Sequence, residues 1–281
     1  MKKILAVAVA TAISAPAMAD LTIGASTEYN LYDAGAGAVQ TVENNITVTG
    51  GATADNGVFA KAFLEIESTS KDGGVSNFEV DDNYLTIGNA SANVTVGQFG
   101  TSNAFNVGDD TFAPKAAAVS GFTAKGLDDA GDQDIAVNVT AIEGLSLQVS
   151  GNLSDANNSD MRGTASLAAG GVTLAATVQS SDDTSEDGYA LSAATTVSDV
   201  AVSASYATND DDDKSIAFTA GYDIFSVAYV RNEDAAGADE AIYYTNVALG
   251  NMGLEGLSVD VGFGGGADVD TKAGVEVIYS F

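Results

Sequence analysis

In one segment after another from residue 21 to the C-terminus, apolar side chains alternate with small polar ones, and no stretch there is long and apolar enough to cross a membrane as a helix. Period two is the period of a strand, whose successive side chains point to opposite faces. Leu21, Ile23, Ala25, Tyr29 and Leu31 fall on one face, and Thr22, Gly24, Ser26, Glu28 and Asn30 on the other. The pattern returns in Leu145, Leu147 and Val149 against Ser146, Gln148 and Ser150, and again in Leu257, Val259, Val261 and Phe263 against Ser258, Asp260 and Gly262. It predicts strands over 21–31, 42–53, 58–68, 80–89, 92–99, 134–142, 145–153 and 161–168, then 172–180, 189–197, 200–208, 214–222, 225–231, 240–249, 257–264 and 271–281. An all-β fold of about sixteen strands is the expectation.

The connections alternate in length. Asn89-Ala90-Ser91, Glu143-Gly144, Ala169-Gly170-Gly171, Ser198-Asp199 and Asp223-Ile224 are short, whereas 181–188, 209–213, 232–239 and 265–270 are longer and acidic. Tight turns on one rim and longer loops on the other belong to an up-and-down antiparallel barrel. The two prolines, Pro16 and Pro114, lie outside every predicted strand. That suits a sheet with no edge, in which each strand must donate its full ladder of hydrogen bonds. In hydrocarbon an unpaired backbone group costs several kcal/mol, so β-structure crosses a bilayer only as a closed barrel. Sixteen strands also leave room for water inside, where eight would be filled by side chains. The apolar face then meets lipid, with Tyr29, Tyr206, Tyr222, Tyr229, Tyr279 and Phe281 at strand ends as interfacial girdles, and the polar face lines the lumen.

Residues 1–19 read as a secretory signal peptide: Met1-Lys2-Lys3 is basic, Ile4 to Ile13 apolar, and Ala17-Met18-Ala19 a small-residue cleavage site. The barrel is expected over 20–281. Ten Lys and Arg stand against 39 Asp and Glu, which argues against nucleic acid as a partner and favours cations over anions. The chain has no Cys and no His, so it is no disulfide scaffold and has no Ser-His-Asp triad. Carboxylates are too abundant for any pair of them to mark catalysis, and no enzyme is expected. Asp183, Ser185, Asp187 and Gly188 match the first half of a calcium loop, but Ala194 stands where the bidentate Glu belongs. No cofactor is expected beyond calcium held by such acidic loops, at Asp183 and Asp187, or divalent cations bridging them to lipopolysaccharide.

Two stretches resemble the general porins of Gram-negative bacteria, especially the Rhodobacter-type porins of alphaproteobacteria. One is the end of the chain, Ala273-Gly274-Val275-Glu276-Val277-Ile278-Tyr279-Ser280-Phe281. Its terminal Phe281, with Tyr279 two before it, is similar to the family's signal for the barrel-assembly machinery, with Glu276 where Gly is common. The other is Asn83 to Gln98, similar to the hairpin before the family's long third loop, with Gln98 in place of the usual Arg. The resemblance implies that the third loop, within 100–133, folds into the lumen and narrows the pore, and that the protein is a homotrimer. It also implies an acidic loop facing basic wall residues. Asp109, Asp110, Asp128, Asp129 and Asp132 are the loop candidates, and Lys61, Arg162 and Lys272, on the polar face by parity, are the wall candidates. Glu28, Glu65, Asp134, Asp260 and Glu276 point inward by the same parity.

The function expected is an outer-membrane porin, a water-filled channel for passive diffusion of small hydrophilic solutes and ions that favours cations. Its partners are membrane lipid and lipopolysaccharide, the assembly machinery and further copies of itself. Two alternatives stand beside it: a secreted or surface-layer calcium-binding β-protein, and a substrate-specific sugar channel. The latter would carry an aromatic slide along the lumen, and inward aromatics read as few.

Overall fold

The computed structural model describes residues 21–33, 37–72, 74, 78–101, 104–105, 133–152, 160–181, 187–233, 237, 239–266 and 272–281. Sixteen antiparallel strands close into one barrel, each paired with its sequence neighbours and β1 with β16. They are β1 (Thr22–Asp33), β2 (Ala38–Thr53), β3 (Phe59–Lys71), β4 (Phe78–Gly88), β5 (Ala92–Phe99), β6 (Gln133–Ile142), β7 (Leu145–Gly151) and β8 (Asp160–Ala169). β9 (Val172–Ser181), β10 (Gly188–Val197), β11 (Val200–Asn209), β12 (Lys214–Tyr222), β13 (Phe225–Glu233), β14 (Asp239–Gly250), β15 (Leu257–Gly266) and β16 (Lys272–Ser280) complete the ring. All sixteen predicted segments are strands, and no helix is present among the described residues.

The first four strands run longer than the alternation indicated. β1 continues to Asp33, and β2 already begins at Ala38, paired with it. Most of the added positions, among them Asp33, Gln40, Thr41, Thr69, Ser70, Lys71 and Glu79, are polar, so hydrophobic period does not reveal them. On the opposite rim the tight turns are built from left-handed residues. Ser198 and Asp199 both have positive φ (49° and 71°), as do Gly170 and Gly171 (61° and 83°), and turns of that hand match the twist of the paired strands. The seam is closed at the C-terminus, where the Phe281 N–H donates to the Ala25 carbonyl (2.9 Å) and the Ala25 N–H to the Phe281 carbonyl (3.1 Å).

Residues paired in register share a face, so the pairing sorts every strand into inside and outside. Outside lie Ile23, Leu31, Ile46, Ile87, Val94, Val149, Leu174, Leu191, Phe218 and Val227, all exposed. The outer aromatics include Tyr189 and Tyr206, 6.0 Å apart, and Tyr279 and Phe281, 5.8 Å apart. Inside lie Asn30, Thr95, Ser150, Thr177, Gln179, Ser215 and Asn232, all buried. Polar in and apolar out is the reverse of a soluble protein and the arrangement that lipid requires.

Candidate functional site: the lumen wall

The densest charge lies on β1–β4. Glu28 is the direct partner of Glu43, and Glu67 of Glu79, all facing the lumen. One inward row beyond Glu67, Glu65 pairs with Thr47. The β3–β4 register shifts here, so that Leu64 meets Asn83 and Ile66 meets Val80, leaving Asp81 and Asp82 together opposite Glu65. Such a bulge sets two residues against one. Glu43, Glu67, Glu79, Asp81 and Asp82 were not among the residues singled out from sequence. Glu43 was accessible from its alternation with Val42, Asn44 and Ile46, and the bulge was signalled only by the apolar phase passing from Phe78 and Val80 to Leu85 and Ile87.

Several of these carboxylates have a neutral donor two residues along the same face. Asn30 donates to Glu28 (2.6 Å), Asn45 to Glu43 (3.0 Å), and the Thr69 hydroxyl to Glu67. On the adjoining wall Asp260 and Glu276 are direct partners, and Asn30 faces Glu276 across the β1–β16 seam. Asp260 accepts from Asn246 (3.1 Å) and Ser258 (3.1 Å). Neutral donors orient a carboxylate without cancelling its charge. Glu28, Glu43, Glu65, Glu67, Glu79, Asp260 and Glu276 together make this side of the lumen rich in carboxylates.

The basic candidates are dispersed. Lys61 faces the lumen opposite Thr86, exposed, with its ammonium 5.4 Å from the Phe59 ring centroid. Lys272 faces inward opposite Gly264. Arg162 also faces inward, opposite Gln179, but is only 1% exposed: Nη2 donates to Gln179 Oε1 (2.7 Å) and Nη1 to the Thr101 carbonyl (2.9 Å). It holds chain rather than lining water. Asp134 lies on β6, on the lumen side by its alternation with Ile135. Asp109, Asp110, Asp128, Asp129, Asp132 and Asp183 lie outside the described residues. Asp187 accepts a backbone hydrogen bond from Asp210 (2.9 Å), and no group of three acidic side chains is arranged to hold a metal among the described residues.

Two features of the lumen differ from the sequence reading. Inward aromatics are not few: Phe63, Tyr84 and Phe99 form a row, with Phe63 stacked on Tyr84 at 5.0 Å and Tyr84 edge-on to Phe99 at 5.8 Å. They escaped notice because β3 is apolar on both faces there, Phe63 inside and Leu64 outside. Nor is the lumen face polar throughout. Ala190, Ala207, Ala217, Ala228, Val230 and Ile242 form a buried inner patch on β10–β14 together with Phe105. In a closed ring of sixteen, that patch lies across from β2–β4. The acidic wall and the dry wall face each other.

A closed barrel of this size, apolar outside and charged within, is a transmembrane channel of the outer-membrane kind. Residues 6–273 match the family model described as Gram-negative porin, and the chain belongs to that family. No curated protein matches it. Among solved structures, a triple mutant of Rhodopseudomonas blastica porin aligns at TM-score 0.69 and 16% identity, covering 93% of this chain and 100% of that one. A second triple mutant of the Rh. blastica porin aligns at TM-score 0.69 and 17% identity with the same coverage. At that identity the likeness is one of fold. Family and fold together make this protein an outer-membrane porin, a class of channels rather than of enzymes.

Proposed function

We propose that this porin passes small hydrophilic solutes and ions down their gradients and favours cations. The carrying observation is the acidic wall of β1–β4, where Glu28 meets Glu43 and Glu67 meets Glu79 in direct register, with Glu65 on the same face. Rings of carboxylates select cations by field, and a narrow low-dielectric passage amplifies that field. Thr101, Ala104 and Phe105, at the start of the third loop, are fastened to the inner wall, and in this reading the loop that follows narrows the passage. No side chain performs chemistry; transport is diffusion through an aqueous constriction. The test is the reversal potential of the purified protein in a planar bilayer under a KCl gradient. A cation-biased potential supports the reading, and an anion-biased one overturns it.

The functional unit in this reading is a homotrimer whose interface includes β1–β3. Thr27, Asn44 and Ser68 form one row on the outer face, with the Thr27 hydroxyl donating to Asn44 Oδ1 at 3.0 Å. An Asn amide has donors that hydrocarbon cannot satisfy, whereas a neighbouring protomer can. Export proceeds through the signal at residues 1–19, and Tyr279 with Phe281 presents the strand that the assembly machinery takes up. Lys214 and Arg231, on the outer face at the loop rim, meet lipopolysaccharide phosphates, and the acidic loops carrying Asp183 and Asp187 add calcium bridges.

The aromatic row favours one further reading, a channel with a preference among neutral solutes. Sugar rings pack their C–H faces on aromatic side chains, and Phe63 and Tyr84 are half-buried rather than sealed. Liposome swelling with sugars and with polyols of equal size distinguishes the two. Equal rates leave a general porin, and faster sugar entry marks a selective one.

A further inference from the structure

The near end of the third loop is attached to the lumen wall by two different kinds of contact. The first is polar. Arg162 spans from Gln179 Oε1 (2.7 Å) to the Thr101 carbonyl (2.9 Å). Directly beside it, Thr177 Oγ1 accepts from the Ala104 N–H (2.8 Å) and is bonded to Thr164 Oγ1 (3.0 Å). Arg162, Gln179, Thr164 and Thr177 all lie on the lumen face of β8 and β9, as two adjacent cross-strand pairs. The second contact is apolar. Phe105, 6% exposed, packs in a cluster with Ala190, Ala207, Ala217, Ala228 and Val230. Small side chains at these inward positions leave room on the wall, and the Phe105 ring belongs to the same buried cluster.

Neither feature is expected of a wetted lumen. An aqueous wall gains nothing from a run of inward Ala and Val, and a pore-field arginine would keep its guanidinium in water. Both are explained together if they hold the loop. We propose that Arg162 is a positioning residue and that the alanine hollow is the socket for Phe105, a two-point anchor that sets the width of the open path along the acidic wall. This rests on the channel reading above. The planar fork of Arg is what the clamp requires, because one guanidinium reaches two acceptors in fixed directions while a lysine ammonium is a single point. The anchor therefore depends on shape, and the alternative role, a basic wall charge in the pore field, depends on charge alone.

Arg162→Lys separates the two roles, since it keeps the charge and removes the fork. Single-channel recordings in planar bilayers are made on the full-length folded protein, its barrel verified by heat-modifiable migration. The anchor predicts that R162K conducts roughly 1.2- to 2-fold more than wild type, because conduction follows the open cross-section. It also predicts greater open-channel noise and an unchanged reversal potential. Phe105→Ala, which changes no charge, should reproduce the conductance rise and the noise, and it serves where R162K folds poorly. Wild-type-like conductance and noise in both variants overturn the anchor. So does a shifted reversal potential confined to Arg162→Gln with R162K silent, which returns Arg162 to the pore field. If wild type itself opens no channels, the channel reading fails instead, and the two failures are thereby distinguished.

Discussion

Glu28 and Glu43 stand directly opposite each other across β1 and β2, both on the lumen face, each held by an asparagine two residues further along its strand. Like charges in direct register oppose folding by ~0.2–1 kcal/mol. A sheet selected only for stability would separate them. Their repetition at Glu67 and Glu79 shows that the arrangement is not a single accident of register.

Neutralising this wall should therefore cost selectivity and not stability. The double variant Glu28→Gln and Glu43→Gln is expected to move the reversal potential in a KCl gradient toward zero. Resistance to urea unfolding in lipid vesicles should hold steady or rise, by up to ~1 kcal/mol from the relieved repulsion.

Neighbouring residues on β10 test the face assignment. Leu191 points outward and is 50% exposed, whereas Ser192 pairs inward with Ser205. Leu191→Lys is expected to destabilise the barrel in vesicles by ~2–4 kcal/mol if it lies near the midplane, and less toward an interface. Ser192→Lys should leave stability within ~1 kcal/mol and shift ion selectivity toward anions instead. Chemical unfolding of the two variants side by side makes the comparison.

Gly97 occupies a backbone position closed to other residues. Its φ is 130°, and an added Cβ would collide with the Asn83 carbonyl and lie 2.7 Å from Tyr84 Cα. Tyr84 is its cross-strand partner. Gly97→Ala should lower stability by ~1–3 kcal/mol, the scale of a strained backbone site, and reduce refolding yield into detergent micelles.

The outer polar row tests the assembly. Asn44→Leu removes the amide that hydrocarbon cannot satisfy and so stabilises an isolated protomer in lipid. Its expected effect is dissociation of the oligomer at lower temperature on semi-native electrophoresis, with channel conductance per pore unchanged. An unaltered dissociation temperature would remove β2 from the interface.

Deleting Phe281 removes both ring and backbone from the seam with Ala25. Folded, heat-modifiable protein in the outer membrane should fall severalfold, while Phe281→Tyr, which keeps the ring and the backbone pair, should restore it.

What the sequence by itself determined is what period two can carry. Strand number, the inward or outward sense of Glu28, Asp260 and Glu276, and closure as the only lipid-compatible outcome all follow from local alternation and the cost of unpaired backbone groups. The tertiary structure alone decided where that count breaks. At β4 the outward phase passes from Phe78 and Val80 to Leu85 and Ile87, but only pairing with β3 shows that the bulge sets Asp81 and Asp82 together against Glu65. It also decided the role of Arg162. Parity puts that side chain on the lumen face, but only the chain returning from β5 to Thr101 and Ala104 turns an inward charge into a buried clamp. The aromatic row was hidden for a related reason: Phe63, Tyr84 and Phe99 lie on three strands, and their proximity is a matter of register between strands. Alternation records which face a residue takes, while pairing across strands determines what it meets there.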